Sequence, residues 1–275
     1  MTATTGDRPP GAATGEPNAA AGGRLPGAVA AEWTKAWTVR STWWNLFGAA
    51  VLMGLACLQL AIFTVNANDN DDPADDKGVV GIGTIAIGAV DLVQFVLIGL
   101  AMLLITSEYS TGTIRATLQW IPRRGEMLAA KTLVAAVIGG LAGTVLAAGG
   151  SLAALPLLGR WGEFAFTAWL GDVLAVGAYM ALISVFSLGV GALLRSAVGT
   201  LIVIFLVVLV VPASLQASDI TAMERVADFM PAVAGAAFMR GESDVYAPAF
   251  GLLILAGWAA AALAAAHIAL NRRDA

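Results

Sequence analysis

Two carboxylates, Asp91 and Asp172, lie within long apolar runs of this 275-residue chain. Held together in a dry site, two such groups can share a proton and act as acid and base toward a substrate. Held apart, they can line a polar path or sit in water at a membrane edge. Other chemistry-bearing residues are scarce. A single cysteine, Cys57, allows no disulfide within the chain, and with one histidine, His267, it leaves too few ligands for a His/Cys metal centre. The phosphate-cradling pattern G-x-x-x-x-G-K-[ST] is absent, so the chain offers no ATP site of that kind. The densest polar stretch is "SEYSTGTIRATLQWIPRRGEMLAAK", residues 107–131. It carries Glu108, Arg115, Arg123, Arg124, Glu126 and Lys131 between two apolar runs.

The elements that position these groups follow from composition. The chain is 59% hydrophobic and 12% charged, with a mean hydropathy of +0.81. A soluble domain has about 25% charged residues, so the chain reads as an integral membrane protein. No basic stripe suggests a nucleic acid partner. A helix needs about 20 apolar residues to cross the hydrocarbon, and six segments qualify. They run from about Trp43 to Val65, from between Val79 and Ile87 to Thr106, and from Thr132 to Leu158. The others run from Trp169 to Leu194, Val198 to Ser214 and Pro248 to Leu270. Barrel strands would alternate over ten residues, and these do not.

Lys and Arg set the orientation. With the N-terminus inside, the outer segments hold only Lys77, Arg160, Arg225 and Arg240 of the fifteen basic residues. Both termini and residues 107–131 are therefore expected in the cytoplasm, and the protein in the plasma membrane. Residues 1–24, rich in Ala, Gly, Pro and Thr, read as a disordered tail. Residues 25–42 read as an amphipathic interfacial helix, with Val29, Trp33, Ala36 and Trp37 on one face and Glu32 and Lys35 pointing elsewhere. Residues 43–270 form the six-helix domain, with an outer segment at 216–247, and 271–275 form a short cytoplasmic tail.

Residues 107–131 cannot lie in the bilayer. Each charge at a helix centre costs roughly 2.5–3.5 kcal/mol. Ile114, Leu118 and Ile121 recur at helical spacing, with Arg115 and Gln119 beside them, so a short amphipathic helix is expected, stopped by Pro122. It either rests on anionic lipid or slots into a soluble partner. Lys131 is expected to snorkel to the headgroups. Asp91 falls about one turn inside the outer edge of span two and Asp172 at the outer edge of span four, where water can reach both. Gln94 and Tyr179 are further polar positions in the spans, able to face a path or to bond between helices. "GGLAGTVLAAGG" in span three predicts close helix packing. "SDITAMERVADFM" predicts an outer amphipathic helix capped by Ser218, with Ile220, Met223, Ala227 and Met230 on one face.

As a set, these residues resemble ABC-2 type transporter permeases, especially actinobacterial ones. The likeness rests on Glu108, the Gly112–Thr113 pair, Pro122 followed by Arg123 and Arg124, and Lys131 opening the third span. "FMPAVAGAAF", residues 229–238, is similar to the Leu-Pro-x-x-Ala-Gly stretch of those permeases, with Met230 in place of Leu. The resemblance covers nearly the whole chain. It implies an all-α ABC-2 exporter fold with six transmembrane helices and an N-terminal elbow helix. It also implies a coupling helix around Arg115 that inserts into a separate ATP-binding subunit. Two permeases, identical or different, would work with two ATPases that hold the ATP and Mg. This chain would bind no cofactor, would not be an enzyme itself, and would export an amphipathic or hydrophobic substrate such as a drug, natural product or lipid. Asp91, Gln94 and Tyr179 would line the path. One alternative is a non-transporting scaffold or sensor. Another stems from "WLGD" at 169–172, similar to the Gly-Asp of intramembrane aspartyl proteases, which need two aspartates facing each other deep in the bilayer.

Overall fold

The computed structural model describes residues 24–70, 73–113, 124–218 and 220–272. The expected tail lies almost wholly outside these residues, as does the expected amphipathic helix around Arg115. Six helices are long and apolar enough to cross a bilayer, so this is an all-α, multi-pass membrane protein. Helix α1, Arg24–Thr38, precedes them. The first four crossings are α2 (Arg40–Asp69), α3 (Ile82–Thr111), α4 (Arg124–Leu158) and α5 (Phe166–Leu194). The fifth, Ala197–Gln216, joins α6 (Ala197–Phe205) to α7 (Val211–Gln216) through a π-turn at Leu206–Val210. Two short helices follow, α8 (Thr221–Asp228) and α9 (Pro231–Arg240), and the last crossing is α10, Pro248–Arg272.

The π-turn has a local cause. Pro212 has no N–H to donate, and its ring would crowd the carbonyl one turn back. Widening the turn before it relieves both problems without breaking the span.

The helices exceed the expected spans where polar residues begin. Helix α3 runs five residues past Thr106, and α4 starts eight residues before Thr132. Hydroxyls make this possible. Ser107 Oγ donates to Leu103 O at 2.6 Å, and Thr111 Oγ1 donates to Ser107 O at 2.8 Å. These side chains satisfy themselves on their own helix. Gly112, at φ 71°, then ends α3 in the left-handed region, where a side chain would be strained. At 30 residues, α3 is about 45 Å long, well beyond a hydrocarbon layer of about 30 Å. Residues 107–111 and 124–131 of the expected 25-residue loop are therefore helical.

Helix α5 forms the centre of the bundle. In its most apolar window 72% of residues are buried, against 22% in the fifth and sixth crossings. It packs on α3, α4 and α10. The small-residue stretch of α4 makes the expected close approach. A Cβ on Gly143 would fall 2.6 Å from Met180 Cβ, and one on Gly177 would strike Thr144 Oγ1. Gly150 abuts Cys57, which is buried as a small apolar packer. Gly143→Leu is expected to lower stability by about 1–3 kcal/mol through overpacking, while Gly149→Ala, whose Cβ meets open space, stays within about 0.5 kcal/mol. Thermal unfolding of both variants in detergent checks the difference.

Asn68 and Asp69 at the end of α2 organise the adjoining loops. Asn68 Oδ1 accepts from the backbone N–H groups of Lys77 and Gly78. Asp69 accepts from Arg160 Nη2 and Trp161 Nε1. A two-residue parallel pairing, β1 (Val80–Gly81) with β2 (Gly162–Glu163), joins the two loops. Ser218 does not cap α8. Its hydroxyl bonds back to Leu215 O, and the helix starts at Thr221 after an uncapped Ile220. Of the expected apolar face of α8, Ala227 is buried, while Ile220 and Met223 are exposed.

Helix α9 is seated by two glycines. A Cβ on Gly235 would run into the ring of Tyr179, and one on Gly251 of α10 would run into the carbonyl of Ala234. Pro231 opens the helix and Gly241, at φ 70°, closes it.

Candidate functional site

The charged residues near the joined ends of α3 and α4 form one buried cluster with α1. Lys131 lies two turns into α4, and its side chain is 0% exposed. Its ammonium donates to Glu108 Oε1 at 2.6 Å, Glu32 Oε2 at 2.7 Å and the Leu104 carbonyl at 3.1 Å. An ammonium has three donors, and all three are used. Lys35 also donates to Glu108 Oε1. The side chain of Glu108 is 1% exposed and that of Lys35 44%. Two acids and two bases leave no net charge.

Lys131 therefore does not snorkel. The expected path to the headgroups is closed by α1, whose Val29, Trp33 and Trp37 pack on the bundle and whose Ala36 is buried. Glu32 likewise turns inward to meet Lys131. The apolar and acidic sides of α1 both serve docking: one fills a groove, and the other supplies the countercharge that α4 needs. Trp37 and Trp43 stack across the α1–α2 break, and Trp43 Nε1 donates to Trp37 O at 3.1 Å. The cluster thus fastens α1 to the ends of the two helices that hold residues 112–123.

The remaining motif residues divide. Gly112 caps α3, and Thr113 is exposed with its hydroxyl 2.9 Å from Thr111 Oγ1. Arg124 donates to the Leu270 carbonyl, tying the start of α4 to the end of α10. Beside it, Gly125 faces His267. Arg115, Pro122 and Arg123 lie outside the described residues. Arg195 ends α5 at φ 56° with its guanidinium 5.1 Å from the ring centroid of Tyr109, so the end of α3 is braced from this side too.

A second polar set lies toward the opposite end. The Tyr179 hydroxyl donates to Gln94 Oε1, and Gln94 Nε2 donates to the Asp91 carbonyl at 3.2 Å. Tyr179 and Gln94 are buried and serve as interhelical bonds. Asp91 reaches the surface of α3. Asp172 packs against Gly83, near the start of α3. Gly83 and Asp91 are eight residues apart, about 12 Å along the helix. At that separation the two carboxylates share neither a proton nor a substrate atom.

At the end of α8, burial and the nearby Asp244 hold the Asp228 carboxyl above its ordinary range. The Tyr246 hydroxyl donates to the Asp228 carbonyl at 2.6 Å, linking α8 to the start of α10. Among the described residues no group of three or more His, Cys, Asp or Glu could hold a metal. A scan against protein-family models and a search of curated proteins both return no match for this chain.

Sequence reasoning missed Glu32 and Lys35 as parts of the site. The usable signal was Lys131 itself, a cation among Leu128, Ala130, Val134 and Ala135. Such a residue calls for a buried acid, and only three acidic residues between Arg24 and Asn68 or in 107–131 compete for it, Glu32, Glu108 and Glu126, none of which flags its partner by spacing.

Proposed function

We propose that this chain is the permease subunit of an ATP-driven ABC-2 type exporter. In this reading α1 is the elbow helix, and residues 112–123 are the handle gripped by a separate ATP-binding subunit. The carrying observation is the buried Glu32–Lys35–Glu108–Lys131 cluster. A loop that transmits force needs rigid attachments, because a push on slack chain moves nothing. Here both flanking helices are ion-paired to α1 and to each other. A displacement at 112–123 would therefore pass to α1, α3 and α4 as one body. Two of the residues on which the resemblance rests, Glu108 and Lys131, meet at the centre of this joint.

The excess of Lys and Arg on one side supports a reading in which the joint and both termini face the cytoplasm of a plasma membrane. Two copies of the ATPase bind two permeases, and nucleotide-driven closure of the ATPases re-spaces the helices. The substrate is amphipathic, and ATP and Mg reside in the partner. The separation of Asp91 and Asp172 favours no proteolytic role.

Affinity purification in mild detergent tests this reading. The tagged chain is expected to bring down an ATP-binding subunit. The double variant Arg115→Glu/Arg123→Glu is expected to lose about tenfold or more of that subunit, as two reversed interfacial charges warrant, while its own gel-filtration profile stays the same. Equal recovery of the ATPase with the variant, or no ATPase with the parent chain, would remove the assignment.

A further inference from the structure

Helix α1 does not close fully on the bundle it docks against. Between α1, the start of α2 and the end of α3 lies a cavity of about 110 Å³. A single water needs only about 10–15 Å³ of such space, so a much larger group fits. The wall changes character along the bundle. Leu100 and Leu104 of α3 line it at depth, and Ser107 lines it seven residues beyond Leu100, about 10 Å along the helix. Lys35 of α1 and Ser41 and Thr42 of α2 complete the polar end.

That end holds donors that nothing uses. Thr42 is 3% exposed, yet among the described residues its hydroxyl makes no hydrogen bond; only its backbone N–H is engaged, on Val39 O. Threonines deeper in the spans behave otherwise. Thr64, Thr106, Thr132, Thr144 and Thr200 each return the hydroxyl to the carbonyl one turn back. For Thr42 that carbonyl belongs to Thr38 of α1, and the extended backbone of Val39 separates the two helices. A buried hydroxyl without a partner is costly, and this one opens on the cavity. Ser41 is exposed beside it, with its hydroxyl likewise unbonded among the described residues. Lys35 spends one of its three donors on Glu108.

The charge balance selects an anion. Glu32, the acid on the wall, is spent on Lys131, and Lys35 with Glu108 completes a set of no net charge. Arg40, between Val39 and Ser41 of the wall, is exposed and has no ion pair among the described residues. The first turn of α2 has no side-chain cap, and its free N–H groups add partial positive charge. Basic pockets between membrane helices take anionic lipid heads. We infer that this cavity binds the phosphate headgroup of an anionic phospholipid. Lys35, Ser41 and Thr42 donate to the phosphate, and Leu100 and Leu104 lie against the start of an acyl chain. A free phosphate ester would leave that apolar depth unfilled. The binding stands on the cavity and does not depend on the exporter reading. A lipid seated there joins α1 to α2 and α3, beside the ion cluster that ties α1 to α3 and α4.

Native mass spectrometry of the purified full chain in detergent tests this. Dioleoyl phosphatidylglycerol is the anionic probe, and dioleoyl phosphatidylcholine has the same chains and no net charge. Glycerol 3-phosphate is the head without chains. The parent chain is expected to hold one phosphatidylglycerol about tenfold more tightly than phosphatidylcholine, and glycerol 3-phosphate at least about tenfold more weakly than phosphatidylglycerol. Lys35→Met should erase the preference between the two lipids, and Lys35→Arg should keep it. Thr42→Val should weaken phosphatidylglycerol about threefold or more. A parent chain without the preference, or unchanged phosphatidylglycerol binding in Lys35→Met or in Thr42→Val, would overturn the assignment. An equal loss of both lipids in Lys35→Met would mark a purely structural effect and overturn it too. Glycerol 3-phosphate bound as tightly as phosphatidylglycerol would mean a site for free phosphate esters, and the lipid assignment would fail.

Discussion

Lys131→Met is expected to destabilise the protein by about 3–5 kcal/mol, the cost of stranding buried charge. The substitution keeps most of the volume and removes the cation. Glu32 and Glu108 then remain almost fully buried, with side chains 8% and 1% exposed. Glu108 keeps only the half-exposed Lys35, and Glu32 loses its partner. The Leu104 carbonyl also loses a donor. Lys35→Met is the informative contrast. Lys35 is 44% exposed and Glu108 would still hold Lys131, so a loss of only about 0–1 kcal/mol follows. The triple variant Lys131→Met/Glu32→Gln/Glu108→Gln removes all the buried charge at once and should recover most of the stability, because a neutral buried cluster carries no ionic desolvation cost. The fraction of monodisperse protein remaining after heating in detergent orders the three. A Lys131→Met protein as stable as the parent would mean that the cluster does not hold α1.

Gly251→Ala is expected to be the most damaging of the methyl additions, about 1–3 kcal/mol or more. The added Cβ meets the carbonyl of Ala234 and comes within 3.3 Å of Phe238 N, so it strikes backbone and no rotamer change can relieve it. Helix α9 has to move away from α10. Because Gly235 of α9 also rests on the Tyr179 ring, that movement uncovers the buried Tyr179–Gln94 bond. Gly257→Ala, on the same helix with nothing within 4 Å of its Cβ, provides the control. It should be neutral or slightly stabilising, by about 0–1 kcal/mol, since alanine favours the helix over glycine. Limited proteolysis reports both. Faster cleavage at residues 241–247 is expected for Gly251→Ala, with the parent rate for Gly257→Ala.

The crossings were legible because a bilayer demands long apolar runs, and six such runs stand out. Their ends were less so. Polar residues after Thr106 suggested a loop, yet Ser107, Ser110 and Thr111 bond to carbonyls of their own helix and extend it. Ser218 looked like a helix cap, but its hydroxyl had a nearer acceptor at Leu215. The close approach of α4 to α5 was visible as a run of small residues. The partners of Lys131 were not. They lie 23 and 99 positions away, and pairing over such distances leaves no local pattern. The face of α1 was read correctly for its apolar side and incorrectly for Glu32, because helical spacing shows which residues share a side but not which buried charge waits opposite.

The side of the membrane occupied by residues 112–123 underlies the whole account, and one measurement reads it directly. Cys57→Ala removes the native thiol, and Thr117→Cys adds one in the segment between α3 and α4. A membrane-impermeant maleimide should then label inside-out vesicles and leave intact cells unlabelled. Labelling in intact cells would put that segment outside, where no ATPase can reach it, and would contradict the account.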